Sequence, residues 1–214
     1  DLERRVLTLI STRDNIDWVI DERGNYWRTF QFIEGATTFD VVETVDQARE
    51  VGHAFGEFQG QLIDLGPPQL AFTIPDFHNT RERLRAFQEA VERDVCNRAA
   101  SVRDEISRVD HYVDLVDDLL KLQRAGEIPL RVVHNDTKIN NVLIDDETGK
   151  GLCVIDLDTV MPGLVADDFG DLIRTSSSFA REDERDLSKV VVELPIFEAL
   201  VIGYLSASGS FLTD

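Results

Sequence analysis

The chain has 214 residues, 43% hydrophobic and 29% charged, which is ordinary for a soluble globular protein and excludes a disordered or collagen-like one. Its net charge of −19 repels phosphate backbones and anionic lipid, so neither nucleic acid nor a membrane surface is expected as a partner. A phosphorylated small molecule remains compatible with that charge, provided a divalent cation screens it.

The first 35 residues read as β structure. Trp18-Val19-Ile20 and Tyr26 to Ile33 are aromatic and β-branched runs, separated by the turn signal Glu22-Arg23-Gly24-Asn25. Gly35 ends the second run. From Gln47 to Leu65 apolar residues recur at Ala48, Val51, Phe55, Phe58 and Leu62, in steps of three and four that predict a helix. Gly52, Gly56 and Gly60 form a second face of that helix, suited to close packing against another element. Gly66-Pro67-Pro68 is the stop signal. A second helix is expected over about Arg81 to Val95. A third is expected to run unbroken through Val102, Ile106, Val109, Val113, Val116 and Leu120, closed by Ala125-Gly126 and Pro129.

Leu130 to Val133 then reads as a short strand. Asn141 to Ile144 and Leu152 to Ile155 flank the turn-rich Asp145 to Lys150, predicting a hairpin. From Asp168 the chain is expected to be helical to its end, with Pro195 in the first turn of the last helix. Ala199 to Thr213 is uncharged but too short and polar to span a bilayer. No signal peptide is visible at the start. Cys96 and Cys153, 57 residues apart, read as two buried, reduced thiols, which implies a cytoplasmic protein.

The embedded hairpin carries the chemistry. Before it stands His134-Asn135-Asp136-Thr137-Lys138-Ile139-Asn140-Asn141, and after it Ile155-Asp156-Leu157-Asp158. A hairpin brings its ends together, so these carboxylates and carboxamides share a small volume. Carboxylates so placed repel one another unless a cation sits among them. A donor set of oxygens, without cysteine or a histidine pair, favours Mg²⁺ over zinc. Asp136 and Asn141 are five apart and Asp156 follows fifteen later, which resembles the Asp-x₄-Asn catalytic loop and metal-binding Asp of the protein-kinase fold. Asp168-Phe169-Gly170 spells the kinase metal-binding tripeptide, but it lies 32 residues after Asp136, and Asp156 already occupies the end of the hairpin. Asp168 and Asp171 therefore read as supporting residues, with Phe169 packed beneath the site.

The segments YWRTFQFIEGAT (26–37), HNDTKINNVLID (134–145), CVIDLDTVMPGL (153–164), DFGDLIR (168–174) and EDERDLSKV (182–190) resemble the aminoglycoside phosphotransferase and choline kinase superfamily. Within it they are most similar to the N-acetylhexosamine 1-kinases. The resemblance implies an α+β, protein-kinase-like fold using ATP and Mg²⁺. Residues 1–35 would be the remnant of an ATP-binding lobe with its hinge, and 36–214 a mostly helical catalytic lobe. Asp136 would orient and deprotonate the acceptor hydroxyl, and Lys138 would place a cation near the transferred phosphoryl group. Asn141 and Asp156 would hold Mg²⁺. Phe32, Ile33 and Glu34 would meet adenine. His134 would support the loop, and Asp158 would join the metal shell or brace Lys138. Arg174 would meet a sugar hydroxyl or the product phosphate, or else pair with Asp171 three residues earlier.

The implied reaction is phosphorylation of a sugar, at the anomeric hydroxyl of an N-acetylhexosamine. Choline, homoserine or an aminoglycoside are the alternatives within the superfamily. A metal-dependent hydrolase or a catalytically silent binding module are the alternatives outside it. The chain has no Gly-x-Gly-x-x-Gly and no lysine before Lys121, and it ends soon after Leu205. Set against the superfamily, it is expected to lack most of the ATP-binding lobe and the last substrate-walling helices.

Overall fold

The structure, a computed structural model, describes residues 2–65 and 70–212. In chain order the regular elements begin with β1 (Val19–Ile20), β2 (Tyr26–Trp27), β3 (Ala36–Thr37) and α1 (Val45–Gln61). There follow α2 (Thr80–Arg93), α3 (Arg103–His111), α4 (Asp118–Ala125), β4 (Arg131–Val133), β5 (Val142–Asp145) and β6 (Gly151–Val154). The chain continues through β7 (Met161–Gly163), α5 (Val165–Ser176) and α6 (Leu194–Ser208). These residues form two compact units. One comprises 1–64, 136–158 and 168–214; the other comprises 65–135 and 159–167.

In the first unit, α1 and α6 pack against each other along the glycine face. A Cβ at Gly52 would overlap the Leu200 carbonyl, one at Gly56 would lie 2.6 Å from the Tyr204 oxygen, and one at Gly203 would overlap the Arg49 carbonyl. Backbone carbonyls cannot swing aside as side-chain ends do, so hydrogen is the only side chain that fits. Val51, Phe55, Ile196, Ala199 and Leu200 fill the buried seam. Helix α1 starts two residues before Gln47. Thr44 Oγ1 accepts from Gln47 N (3.1 Å), and Gln47 Oε1 accepts from Glu43 N (2.7 Å). It ends at Gln61, and the expected Gly-Pro-Pro stop lies outside the described residues.

The embedded hairpin is present: β5 and β6 pair antiparallel, with a register shift between Leu143 and Ile144. Strand β3, which the sequence does not announce, adds to the other edge of β5. Asp145 organises the turn by accepting from Glu147 N, Thr148 N and Thr148 Oγ1, and by an ion pair with Arg4 at 2.9 Å. The bonds from Thr148, with Arg4 alongside, hold its carboxyl down at a pKa of about 2. The N-terminal β run is shorter than expected. β1 and β2 have two residues each, because the backbone beyond β2 pairs with the preceding segment through Ile10 N to Thr29 O and Gln31 N to Thr8 O, both 2.8 Å.

The second unit holds α2, α3, α4 and a two-stranded sheet in which β7 pairs antiparallel with β4. The expected continuous third helix is broken into α3 and α4 by a 3-10 stretch at Val113–Asp117. The break follows from the sequence: β-branched Val109, Val113 and Val116 weaken the helix, and Asp114 and Asp117 compete for its backbone. Arg81 fixes the break by pairing with the Asp117 carboxylate. Gly126, with φ +76°, caps α4.

Two further expectations are corrected. The chain is not helical throughout after Asp168: α5 ends at Ser176, and 177–193 is irregular apart from one 3-10 turn at Leu187–Lys189. Ser176 and Ser177 are buried where the helix ends, and the Ser177 carbonyl accepts from Glu193 N (2.8 Å) just ahead of α6. The thiols also differ. Cys153 is buried, and burial pushes its pKa up to about 11, but Cys96 is exposed because it follows the left-handed turn at Asp94 that ends α2. No described helix is long and apolar enough to cross a membrane.

Candidate active site

Strand β4 leads into the loop that carries Asp136. His134 is fully buried at its end. Asn135 adopts the left-handed conformation (φ +68°), which asparagine tolerates better than most residues. Its amide donates to the Thr159 carbonyl at 2.9 Å, and its own carbonyl meets His78 Nε2 at 2.9 Å. Within the second unit the approach to the loop is thereby fixed. Neither Asn135 nor His78 stands out in the sequence; an asparagine beside Asp136 is the available signal for the turn.

Within the first unit, one residue after another holds Asp136. Its Oδ2 accepts from Asn141 Nδ2 (3.2 Å), as does its carbonyl (2.8 Å), while its Oδ1 lies 3.1 Å from Lys138 Nζ. Thr137 is fully buried. Its hydroxyl donates to the Asp168 carbonyl (2.6 Å), and its N–H to Asp171 Oδ2 (3.0 Å). The Asp168 carboxylate accepts from Gln59 Nε2 (2.8 Å), and Tyr204 donates to Gln59 Oε1 (2.5 Å). The Phe169 ring packs on Tyr204 with centroids 5.0 Å apart. Asp168 thus faces inward to α1, and it ties the Asp136 loop to the α1–α6 seam. Gln59, Thr137 and Tyr204 were not singled out from the sequence, since their polar atoms look unremarkable until the fold buries them together.

The hairpin brings Asn141 and Asp156 to one end. Ile155 N donates to the Asn141 carbonyl (2.9 Å), with Val142 and Val154 paired beside them. Asp156 is exposed, in the left-handed region at φ +60°. A non-glycine residue held there costs of order 1–3 kcal/mol, a strain that concentrates at functional sites. Among the described residues its carboxylate has no hydrogen bond or ion pair. Asn141 directs its amide hydrogens to Asp136, which leaves the amide oxygen as the donor atom for a cation. One carboxylate and one carboxamide oxygen suit Mg²⁺, which takes few protein ligands and completes its shell with water and phosphate oxygens. No group of three His, Cys, Asp or Glu able to hold a metal occurs among the described residues, so an all-protein cage is not offered there.

Lys138 is held by more than Asp136. Its Nζ is 3.7 Å from Glu182. Partial burial works against its charge, but the hydrogen bond and charge of Asp136, with Glu182 and Asp171 behind, outweigh it and raise its pKa. Arg174 uses all three guanidinium nitrogens on protein carboxylates: Nε and Nη2 on Asp171 Oδ1 (3.1 and 2.8 Å), and Nη1 on Glu182 (3.1 Å). Asp158 pairs with Arg28, which no sequence signal marked. At the segment expected to meet adenine, Ile33 is buried, Phe32 is 82% exposed, and the Glu34 carbonyl accepts from Arg4 Nη2 (3.0 Å).

Residues 5–193 match the family model of the phosphotransferase enzyme family. Among solved structures, an aminoglycoside phosphotransferase from Alicyclobacillus acidocaldarius aligns with a TM-score of 0.61 at 15% identity, over 95% of this chain and 59% of the other. A spectinomycin phosphotransferase in complex with ADP and spectinomycin aligns at 0.58 and 18%, over 99% and 60%. A microcompartment-associated aminopropanol kinase aligns at 0.52 and 19%, over 95% and 59%. The chain therefore shares their kinase-like fold and spans about three fifths of the length of these relatives.

Proposed function

This chain belongs to the phosphotransferase enzyme family, and on that premise we propose that it transfers the γ-phosphoryl group of ATP to a hydroxyl of a small molecule. The observation that carries the proposal is Asp136. One of its carboxylate oxygens is held by Asn141 and the other by Lys138, on a loop braced from beneath by Thr137 and Asp168.

Phosphoryl transfer asks little covalent chemistry of a protein; it requires alignment and cations against the charge of the transition state. Asp136 accepts the proton of the attacking hydroxyl and aims its lone pair. Lys138, with its Nζ 3.1 Å from that carboxylate, serves the transferred group. Asn141 and Asp156 are the residues that would hold Mg²⁺, which when bound neutralises charge on the ATP phosphates. Phe32, Ile33 and Glu34 are proposed to meet adenine, with the exposed Phe32 ring as an apolar surface for the base. Residues 1–35 are assigned to the nucleotide lobe and 36–214 to the catalytic lobe. His134, Asp158, Asp168 and Asp171 support the site, and Arg174 is retained as a substrate contact only on release from its two carboxylates.

For the acceptor we favour a sugar, specifically the anomeric hydroxyl of an N-acetylhexosamine. The support is the resemblance of CVIDLDTVMPGL and EDERDLSKV to the N-acetylhexosamine 1-kinases. The relatives named above include kinases of aminoglycosides and of an amino alcohol, and these acceptors are the competing reading. A panel assay with Mg-ATP decides between them, comparing N-acetylglucosamine, N-acetylgalactosamine, glucose, choline, homoserine and kanamycin. The proposal expects phosphorylation of an N-acetylhexosamine. Preference for any of the last three discards the sugar and keeps the kinase.

A further inference from the structure

Lys138 has two carboxylates within reach, and they come from different parts of the first unit. Its Nζ lies 3.1 Å from Asp136 Oδ1 and 3.7 Å from Glu182 Oε2. Glu182 belongs to the irregular segment after α5, and its Oε1 accepts from Arg174 Nη1 at 3.1 Å. Arg174 in turn holds Asp171 Oδ1 at 2.8 Å, and Asp171 Oδ2 receives Thr137 N at 3.0 Å. The groups form a closed circuit: Asp136, Lys138, Glu182, Arg174, Asp171, then the loop again at Thr137.

The circuit matters because an ammonium resting on Asp136 occupies an oxygen that an acceptor hydroxyl needs. A lysine with no second anion in reach would stay on the base. Glu182 supplies that second anion, and Arg174 keeps it in place. The groups facing Lys138 are the carboxylates of Asp136, Glu182 and Asp171, with Arg174 as the neighbouring cation. Neutralising Glu182 leaves Asp136 the nearer of the two remaining anions by direct contact.

We infer that Glu182 is a positioning residue for phosphoryl transfer: it draws Lys138 off Asp136 when the acceptor arrives and holds the ammonium ready for the transferred group. The inference rests on the kinase proposal above and deepens it. Glu182 acts through Lys138 and is not itself in contact with the reacting atoms.

The test is a double-mutant cycle on the intact protein. Glu182→Gln should lower kcat about tenfold and change the KM for ATP less than about twofold, with Glu182→Asp restoring most of the loss. In a Lys138→Met background, read by single-turnover phosphoryl transfer, Glu182→Gln should add less than about a twofold effect. Glu184→Gln, in the same segment but paired with Lys189 at 3.7 Å, should leave kcat unchanged. Wild-type turnover in Glu182→Gln overturns the inference. So does an equal loss in Glu184→Gln, which would mean that the segment merely needs its charge to fold. A loss of unchanged size in the Lys138→Met background overturns it too, and if that background is too slow to read, failure of Glu182→Asp to rescue does the same. Asp136→Asn, run beside these, keeps the two claims apart. If it abolishes transfer while Glu182→Gln is normal, only the positioning role falls. If it turns over normally, the kinase assignment of this loop falls with it.

Discussion

Asn141 holds Asp136 and is also proposed to hold Mg²⁺. Its amide hydrogens fix the Asp136 carboxylate, and its amide oxygen is the one left for a cation. Asn141→Ala should therefore lower kcat and raise the Mg²⁺ concentration for half-maximal activity by at least about tenfold, as loss of a metal-site residue typically does. An Mg²⁺ titration of ATP turnover reads this, and an unchanged midpoint would remove Asn141 from the metal site. Asp145 has a different task on the same hairpin. The hydrogen bonds from Thr148, with the charge and hydrogen bond of Arg4, lower its pKa from the usual value near 3.9 to about 2. A depressed carboxylate stabilises the fold fully above its unfolded pKa and loses that effect as pH falls through its folded value. Asp145→Asn should accordingly lower Tm at pH 7, with the gap to wild type closing between about pH 4 and pH 2. A gap that stays constant across that range would mean that its charge is not what holds the turn.

At the scale of elements, the α1–α6 seam supports the Asp136 loop through Gln59, Tyr204 and Asp168. Gly203 of α6 faces the Arg49 carbonyl so closely that a methyl group cannot be added without moving backbone. Gly203→Ala should destabilise the protein by about 1–3 kcal/mol, the usual range for overpacking. Gly170 on α5 has nothing within 4 Å of a Cβ, so Gly170→Ala should be neutral or stabilising by up to about 1 kcal/mol. Chemical denaturation of the two variants checks the contrast, and equal effects would contradict the packing account. This seam was legible in the sequence, because three glycines at four-residue spacing on an amphipathic helix have few other uses. The β5–β6 hairpin and the juxtaposition of Asn141 with Asp156 were legible for the same reason: alternation and turn chemistry act over a few residues. What stayed hidden depends on distant partners. β3 and β7 are two and three residues long and exist because β5 and β4 offer them an edge. Gln59, Tyr204 and Glu182 meet Asp168, Gln59 and Lys138 only because positions 109, 145 and 44 apart in the chain fold back on one another. The break between α3 and α4 shows the opposite failure: the apolar period was right, and β-branched residues and aspartates overrode it.

For the whole molecule, the charge of −19 bears on the choice of acceptor. A strongly acidic protein steers cations toward itself, and salt screens that attraction over about 8 Å at physiological ionic strength. For a neutral sugar the KM should change little between low and high salt, whereas for choline or an aminoglycoside it should rise with salt. The central claim concerns the Asp136 loop, which Asn141, Asp168 and Asp171 brace within the first unit. Positioned general bases contribute typically about 10²–10⁴-fold to rate. Asp136→Asn keeps the shape of the side chain and an acceptor oxygen but removes the base. Steady-state phosphoryl transfer by this variant, assayed with Mg-ATP and the acceptor the panel selects, is the most direct measurement. The account predicts a kcat lower by about 10²–10⁴-fold with ATP affinity nearly intact; turnover at the wild-type rate would contradict it.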